Sequence, residues 1–176
     1  MNSKKAILDA LLVTEFKAGN KKALSLLVKR WHSQFCKQAN WYLKDQSLAK
    51  DVAQESWVVI IRKIHTLKNA ERFAPWALRI VHRKAIDQLR RAKKVQTFGA
   101  TEIEQLAKPE DYNSDRLTKI DLAIMQLPVK QRMVLELFYK NELSLDQIAE
   151  VLKISRGTVK SRLFYARETI KQQLKQ

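Results

Sequence analysis

A run near the carboxyl end, ISRGTVKSRLFYAR (residues 154–167), combines cations with small hydroxylated residues and one glycine. Arginine and lysine side chains bind phosphate oxygens and the acceptor edges of guanine. A serine at the start of a helix caps it, and the open amides of the first turn favour a phosphate. Because glycine lowers helix stability, its place among these cations suggests that another molecule approaches the backbone closely. The predicted chemistry is nucleic-acid binding.

At about 100° per residue this run forms a helix with two faces. The apolar face holds Val159, Leu163, Ala166 and Ile170. The residues predicted to contact DNA belong to the start and the remaining surface of the helix: Ser155, Arg156, Gly157, Thr158, Lys160, Ser161, Arg162, Tyr165 and Arg167. The alternative interpretation is a solvated basic surface with an incidental glycine, since such helices also occur in proteins that bind no DNA.

No group of residues predicts catalysis. The acidic side chains are scattered over predicted helix surfaces, and the three histidines, His32, His65 and His82, have no motif-like partner. Cys36 is the single cysteine, which excludes an internal disulfide and a cysteine-rich zinc site. We therefore predict a protein that is not an enzyme and that uses neither a metal nor a cofactor.

Charge points to a polyanionic partner. The chain of 176 residues carries 34 Lys and Arg against 18 Asp and Glu, a formal net charge of +16. Nucleic acid is the first candidate, ahead of an acidic membrane surface. No apolar run approaches the roughly 18 residues that a membrane span needs, and the amino terminus does not resemble a signal peptide. We predict a cytoplasmic protein without membrane insertion.

The charge divides the chain into three parts. Residues 1–94 have 21 basic and 7 acidic side chains, residues 95–116 have 2 and 5, and residues 117–176 have 11 and 6. The acidic middle part also contains a glycine and a proline and has no helical apolar stripe. We predict a flexible linker between two domains.

Both basic parts have apolar residues at helical spacing, and the whole chain has 3 glycines and 3 prolines, which predicts an all-α fold. In the first part we expect helices over residues 6–18, 21–43, 48–64 and 74–94, with a loop at 65–73. In the second part we expect helices over residues 117–127 and 128–139, a short helix capped by Ser144 and a final helix capped by Ser155. The last two, joined by a tight turn, form a helix-turn-helix pattern.

These motifs match a known family. Residues 127–167 resemble region 4 of bacterial sigma factors of the extracytoplasmic-function (ECF) group, with its Leu-Pro start, Gln-Arg pair, S-x-x-x-I-A helix and G-T-V-K-S-R recognition helix. Residues 51–57, DVAQESW, resemble the region 2 signature that binds the polymerase core. Residues 73–91 are similar to the helix that melts the promoter and reads its −10 element. The resemblance covers nearly the whole chain, in the same order.

The resemblance implies a dissociable subunit of RNA polymerase that directs promoter-specific transcription initiation. Residues 1–94 would be a region 2-like helical bundle that binds core polymerase and the melted −10 element. Residues 117–176 would be a region 4-like domain that reads the −35 duplex, and residues 95–116 would link the two. The resemblance also implies an anti-sigma factor as a partner. It assigns core binding to Asp51, Gln54 and Glu55, which by themselves suggest only a solvated acidic edge.

The residues of the first block are compatible with −10 binding. One stripe about 60° wide, suited to a phosphate backbone, contains Arg79, Arg83, Arg90 and Lys94. The 65–73 loop, with Asn69 and Arg72, can receive an unstacked base. Phe73 and Trp76 can stack on bases, although we expect Trp76 to lie in the core and leave Phe73 open between the two roles.

Two positions depart from the family, and two other functions remain open. Lys50 stands where the family often has an acid, so details of the core-polymerase interface are not carried over. Arg83 stands where the family often has asparagine, in the −10-reading helix, so the −10 sequence is not predicted. A free-standing helix-turn-helix regulator would explain the second block but not DVAQESW or the arginine stripe. A nucleic-acid-processing enzyme would need a carboxylate cluster or an activated nucleophile, and neither is visible in the sequence.

Overall fold

A computed structural model describes residues 4–96 and 119–174, and within these ranges the chain is α-helical with two short 3-10 turns and no strand. This confirms the predicted all-α fold. The chain divides into two compact units, one containing the first four helices and the other containing most of the later ones. The helices are α1 (Lys4–Lys17), α2 (Lys21–Leu43), α3 (Gln46–Lys63), α4 (Phe73–Gln96), α5 (Lys119–Gln126), α6 (Val129–Tyr139), α7 (Leu145–Leu152) and α8 (Arg156–Gln173).

Local side-chain chemistry sets the helix ends in the first unit. Gly19, with φ of 101°, turns the chain between α1 and α2, and the Asn20 side chain accepts a hydrogen bond from the Lys22 amide. Asp45 caps α3: its side chain accepts a hydrogen bond from the Leu48 amide at 3.0 Å. These contacts satisfy amide groups that a helix start leaves without partners.

Aromatic rings fill the core of the first unit, where α2 packs against α1, α3 and α4. Phe35 is fully buried with its ring centroid 5.0 Å from that of Trp57. Phe73 is also fully buried, and its ring meets Trp31 edge-on at 6.1 Å. Trp76 is half-buried beside Phe73. The aromatic residues therefore hold this bundle together.

The structure decides between the two roles that the sequence leaves open for Phe73. Phe73 has no accessible side chain with which to stack on a base, because the first turn of α4 directs its ring into the bundle. On α3, Ile61 is 37% exposed, whereas the neighbouring Ile60 is fully buried. The two isoleucines differ by about 100° around the helix, so only one of them can face the core.

The segment predicted as a loop contains two 3-10 turns, Ile64–Thr66 and Ala70–Arg72. Three apolar side chains along it, Ile64, Leu67 and Phe73, are buried. The polar side chains between Leu67 and Phe73 are exposed: Lys68, Asn69, Glu71 and Arg72. The segment is thus a polar surface fixed to the bundle by apolar anchors.

Most of the predicted helix-turn-helix belongs to the second unit; residues 150–152, at the end of α7, group with the first unit. Ser144 and Gln147 form a reciprocal capping box at the start of α7, and Ser155 caps α8 by accepting from the Thr158 amide. Between the two helices Lys153 adopts the left-handed conformation, with φ of 53°. Leu127, Leu135 and Ala166 form a buried cluster, against which Ile124 and Ile170 pack. These contacts fix α8 against α5 and α6.

The helix boundaries agree with the sequence analysis except at a few ends. Pro128 precedes α6 as its cap residue rather than forming its first turn. Helix α4 continues to Gln96, into the first two residues of the predicted linker, and residues 97–116 lie outside the described part of the chain. Among the described residues, no helix combines the length and apolar character needed to cross a bilayer.

Candidate nucleic-acid interface

Helix α8 has the two faces that the sequence predicts. Val159, Leu163 and Ala166 are buried, and Ile170 packs against the cluster from its edge. The other side exposes six of the predicted DNA-contacting residues: Arg156, Gly157, Lys160, Ser161, Tyr165 and Arg167. Thr158 and Arg162 are half-buried at the boundary between the faces. The outward surface of α8 is thus cationic and lies opposite the surface that anchors the helix.

The hydroxyl groups at the start of α8 are engaged in bonds within the helix. The Ser155 Oγ accepts from the Thr158 amide at 3.1 Å and lies 2.8 Å from the Thr158 Oγ1. The Ser161 hydroxyl donates to the Thr158 carbonyl oxygen at 3.1 Å. Ser155 and Thr158 therefore order the first turn, and the cations remain the groups suited to bind an incoming anion.

Gly157 has open space where a side chain would be. A Cβ built at this position would meet only the Ser155 Oγ, at an ordinary contact distance of 3.7 Å. Its φ is not in the left-handed region, in contrast to that of Gly19. Neither packing within the protein nor backbone conformation requires glycine here, which leaves close approach by an external molecule as a physical reason for it.

Two of the arginines on α8 have partners inside the second unit. The Arg156 Nε lies 3.6 Å from the Asp146 Oδ1, and both side chains are about two-thirds exposed, so this ion pair is weak. The Arg167 guanidinium lies over both the Phe138 and the Tyr139 rings, 5.7 Å from each centroid. Contact with two rings restricts the guanidinium while its outer edge stays accessible.

Helix α4 carries the predicted cation stripe. Arg83 and Arg90 are exposed and Arg79 is half-buried, whereas the side chain of Lys94 lies outside those that the structure describes. Arg83 approaches Asp87 of the next turn at 4.0 Å, a marginal contact. The described part of the stripe therefore places arginines along about three turns of α4.

The two predicted base-binding residues of the 65–73 loop, Asn69 and Arg72, are both exposed. The Asn69 Oδ1 accepts from the Glu71 amide at 2.9 Å, which fixes the oxygen side of the amide and caps the second 3-10 turn. Its amide nitrogen is the group that can still donate to a ligand. Phe73, the third predicted residue, does not contribute because it is buried.

The exposed face of α3 contains all three residues predicted to bind a protein partner, Asp51, Gln54 and Glu55. Glu55 also forms an ion pair of 2.8 Å with Lys84 of α4. Farther along the same face, Val58 and Ile61 are 47% and 37% exposed. An acidic start followed by exposed apolar residues is typical of a protein-binding surface rather than of a nucleic-acid surface.

Sequence reasoning missed several of these residues. Tyr139 is 55% exposed beside Arg167, and Phe164 is 57% exposed next to Tyr165 on the outer side of α8. The angular position of Phe164, opposite the apolar face, was visible in the sequence and is the signal that could have identified it. The contact of Tyr139 with Arg167 joins two helices and has no sequence signal.

Comparison with known proteins follows the same division of the chain. Residues 27–95 match the family model for Sigma-70 region 2, and residues 117–170 match that for Sigma-70, region 4. The RNA polymerase sigma factor SigV of Bacillus subtilis is 34% identical over 155 residues, which cover 87% of this chain and 92% of SigV. The ECF sigma-E factor of Escherichia coli is 29% identical and covers 92% of both chains.

Solved structures have the same fold. CnrH, determined with the cytosolic domain of CnrY, has a TM-score of 0.62 at 22% identity and covers 96% of this chain and 97% of its own. The sigma factor RpoE of Bartonella quintana, determined with the anti-sigma factor NepR, has a TM-score of 0.67 at 23% identity and covers 88% and 98%. With two regional matches in order and a relative at 34% identity over most of its length, the chain belongs to the sigma-70 family of RNA polymerase sigma factors, in its ECF group.

Proposed function

We propose that this chain binds core RNA polymerase through α3 and directs initiation at promoters whose −10 and −35 elements it contacts through its first and second domains. The observation that carries this proposal is the cationic outer surface of α8, opposite a fully buried face and beginning at a glycine with open space around it. The proposed domains are residues 1–94 and 117–176, with residues 95–116 as the linker.

In the second domain, α8 enters the major groove of the −35 element. Arg156 and Lys160, on the first two turns, approach base edges, and Gly157 lets the helix start come close to the DNA. Arg167 lies 7 residues beyond Lys160, or roughly 10 Å along the helix at 1.5 Å per residue. That spacing approaches the width of the major groove, so Arg167 binds a phosphate at the groove edge. The other predicted −35 residues are Ser155, Thr158, Ser161, Arg162 and Tyr165.

In the first domain, the arginines of α4 bind the backbone of the −10 element while the 65–73 loop receives an unstacked base. Asn69 donates through its amide nitrogen, and Arg72 supplies a second donor group. Arg79, Arg83, Arg90 and Lys94 extend along α4 as phosphate contacts. This assignment omits Phe73, because a buried ring cannot stack on a base.

Core polymerase binds the exposed face of α3 that begins at Asp51, Gln54 and Glu55. The carboxylates match a basic surface on the polymerase, and Val58 and Ile61 supply apolar contact on the same face. In this role the chain is not an enzyme, acts in the cytoplasm where polymerase and promoter DNA meet, and is held inactive by an anti-sigma factor, as the complexes of the structural relatives suggest.

The test is transcription with purified core polymerase and this chain on genomic DNA, with sequencing of the transcript starts. We expect starts that share a −10 and a −35 element and are absent with core alone. Lys160→Ala should reduce output from such a promoter by roughly five- to 150-fold if it reads a base. Starts without shared upstream elements, or undiminished output from Lys160→Ala, would contradict the proposal.

The double substitution Asp51→Lys with Glu55→Lys tests the polymerase face separately. Both side chains are exposed, so the fold should persist while charge reversal weakens binding to core polymerase. Pull-down with core measures the effect, and circular dichroism checks the fold. Asp146→Lys, at an exposed acid of the second domain, shows the effect of one such charge reversal, half the added charge, away from α3. Equal retention of all three chains on core would show that the interface lies elsewhere.

A further inference from the structure

The last turn of α1 holds the 65–73 loop. The Lys17 ammonium donates a hydrogen bond to the Leu67 carbonyl oxygen, 2.6 Å away and 50 residues on in the chain. The ring of the preceding residue, Phe16, lies 6.2 Å from that of His65. Helix α1 also packs against both 3-10 turns. These contacts connect the amino-terminal helix to the segment that carries Asn69 and Arg72.

The orientation of the Leu67 carbonyl affects the direction of the loop residues that follow it. Leu67 is the residue where the first 3-10 turn ends and the chain becomes extended, with φ of −72° and ψ of 101°. Its side chain is buried, but its carbonyl belongs to the peptide plane that leads through Lys68 to Asn69. Rotation of that plane would redirect the exposed side chains that follow, because they lie between the two buried anchors Leu67 and Phe73.

Lys17 is suited to prevent that rotation. A hydrogen bond from a charged donor is roughly twice as strong as one between neutral groups. The lysine is half-buried, which limits competition from water at this bond. The bond therefore orients one peptide group in the middle of the loop, where the apolar anchors alone do not determine the direction of the carbonyl.

We propose that Lys17 is a positioning residue for base recognition: by holding the Leu67 carbonyl, it aims Asn69 and Arg72 at the unstacked base of the −10 element. This inference rests on the base-binding role proposed above for the loop. Lys17 lies outside residues 27–95, the range that matches Sigma-70 region 2, so the match itself gives α1 no role. Lys17 does not touch the base in this proposal.

Lys17→Met tests the proposal because it removes the ammonium and keeps most of the aliphatic chain. The holoenzyme is formed from core polymerase and the full chain. The probes are a single-stranded non-template oligonucleotide with the −10 sequence mapped from transcripts, and the same oligonucleotide with an abasic site at the captured position. We expect Lys17→Met to lower the ratio of the two affinities by roughly ten- to 100-fold, the range expected for losing a hydrogen bond from a charged donor.

The controls separate positioning from charge and from folding. Lys29→Met removes the same charge from an exposed position on α2 and should leave the ratio unchanged. Lys17→Arg, which keeps a charged donor, should restore most of the discrimination. Affinity for duplex −35 DNA should be the same in every variant, which also verifies that each chain folds and assembles.

Three results would overturn the inference. Lys17→Met with the same ratio as wild type would show that the bond does not orient the loop. Equal weakening for both oligonucleotides would show that Lys17 binds phosphate directly. If the wild-type holoenzyme itself does not distinguish the abasic probe, the proposed base capture by the loop fails, and the role of Lys17 fails with it.

Discussion

Replacing Gly157 with alanine should make the second domain more stable and a poorer DNA binder. The added methyl would meet only the Ser155 Oγ at 3.7 Å, an ordinary van der Waals contact, so the fold accepts it without strain. Alanine is favoured over glycine in a helix by about 0.5–1 kcal/mol, and a first-turn position should give the lower part of that range. The unfolding temperature should therefore rise slightly.

The same methyl would lie on the side from which we propose that DNA approaches. If the helix start lies against the groove edge, the Cβ must displace it or open a gap, and we expect a loss of about 1–3 kcal/mol, similar to a lost base contact. Calorimetric unfolding of the free chain measures the first effect. Binding of the holoenzyme to duplex −35 DNA at fixed salt concentration measures the second.

Gly19→Ala is the matched control. Gly19 has φ of 101°, where a side chain is strained although nothing lies within 4 Å of the added Cβ. This variant should lower the stability of the first unit by about 1 kcal/mol and leave −35 affinity unchanged. If Gly157→Ala binds −35 DNA as tightly as wild type, close approach is not the reason for the glycine. If it unfolds more easily than wild type, the added methyl is strained at this position.

Two further predictions concern residues that the sequence alone does not explain. Arg167→Gln should reduce the slope of log DNA affinity against log salt concentration by about 1, because one phosphate contact is lost. Tyr139→Leu should weaken DNA binding less, since the Phe138 ring still contacts Arg167. An unchanged slope in Arg167→Gln would show that the contacts of Arg167 with the two rings serve only the structure. Burial raises the pKa of the Asp9 carboxyl, although Arg30 at 3.0 Å has an opposing effect. The folded chain therefore binds this proton more tightly than the unfolded chain. Its free energy of unfolding increases as the pH falls from neutral through the folded pKa. Asp9→Asn cannot titrate. Its free energy of unfolding minus that of wild type should therefore be largest near neutral pH and decrease toward about pH 4. Urea unfolding that gives the same difference at every pH would refute this.

The helices and the outer surface of α8 were predictable from the sequence because both depend on local rules. Apolar spacing identifies Val159, Leu163 and Ala166 as the anchored face, and the remaining directions follow from 100° per residue. Asp45, Ser144 and Ser155 were recognisable as caps because capping uses side chains within three residues.

The rest of the site depends on contacts between distant parts of the chain. Phe73 and Trp76 lie three residues apart with similar chemistry, yet the first is fully buried and the second half-buried, because the packing of α2 against α4 decides which ring is enclosed. The bond from Lys17 to Leu67 joins residues 50 apart, and no local spacing rule indicates it. Sequence patterns identify the faces of single helices, and the packing of several helices determines which side chains reach a ligand.

The connection between α7 and α8 consists of Lys153, Ile154 and Ser155, and it is tied to α7 by hydrogen bonds from the Lys153 and Ile154 amides to the Ala149 carbonyl. Ser155 must at the same time reach the Thr158 amide as a cap. These hydrogen bonds on both sides fix the length of the three-residue connection. One inserted residue would break the hydrogen bonds on one side of the connection and change the direction that the cationic surface of α8 faces. Substitution of the outward side chains of α8 leaves these hydrogen bonds intact, whereas an insertion or deletion in the connection would not.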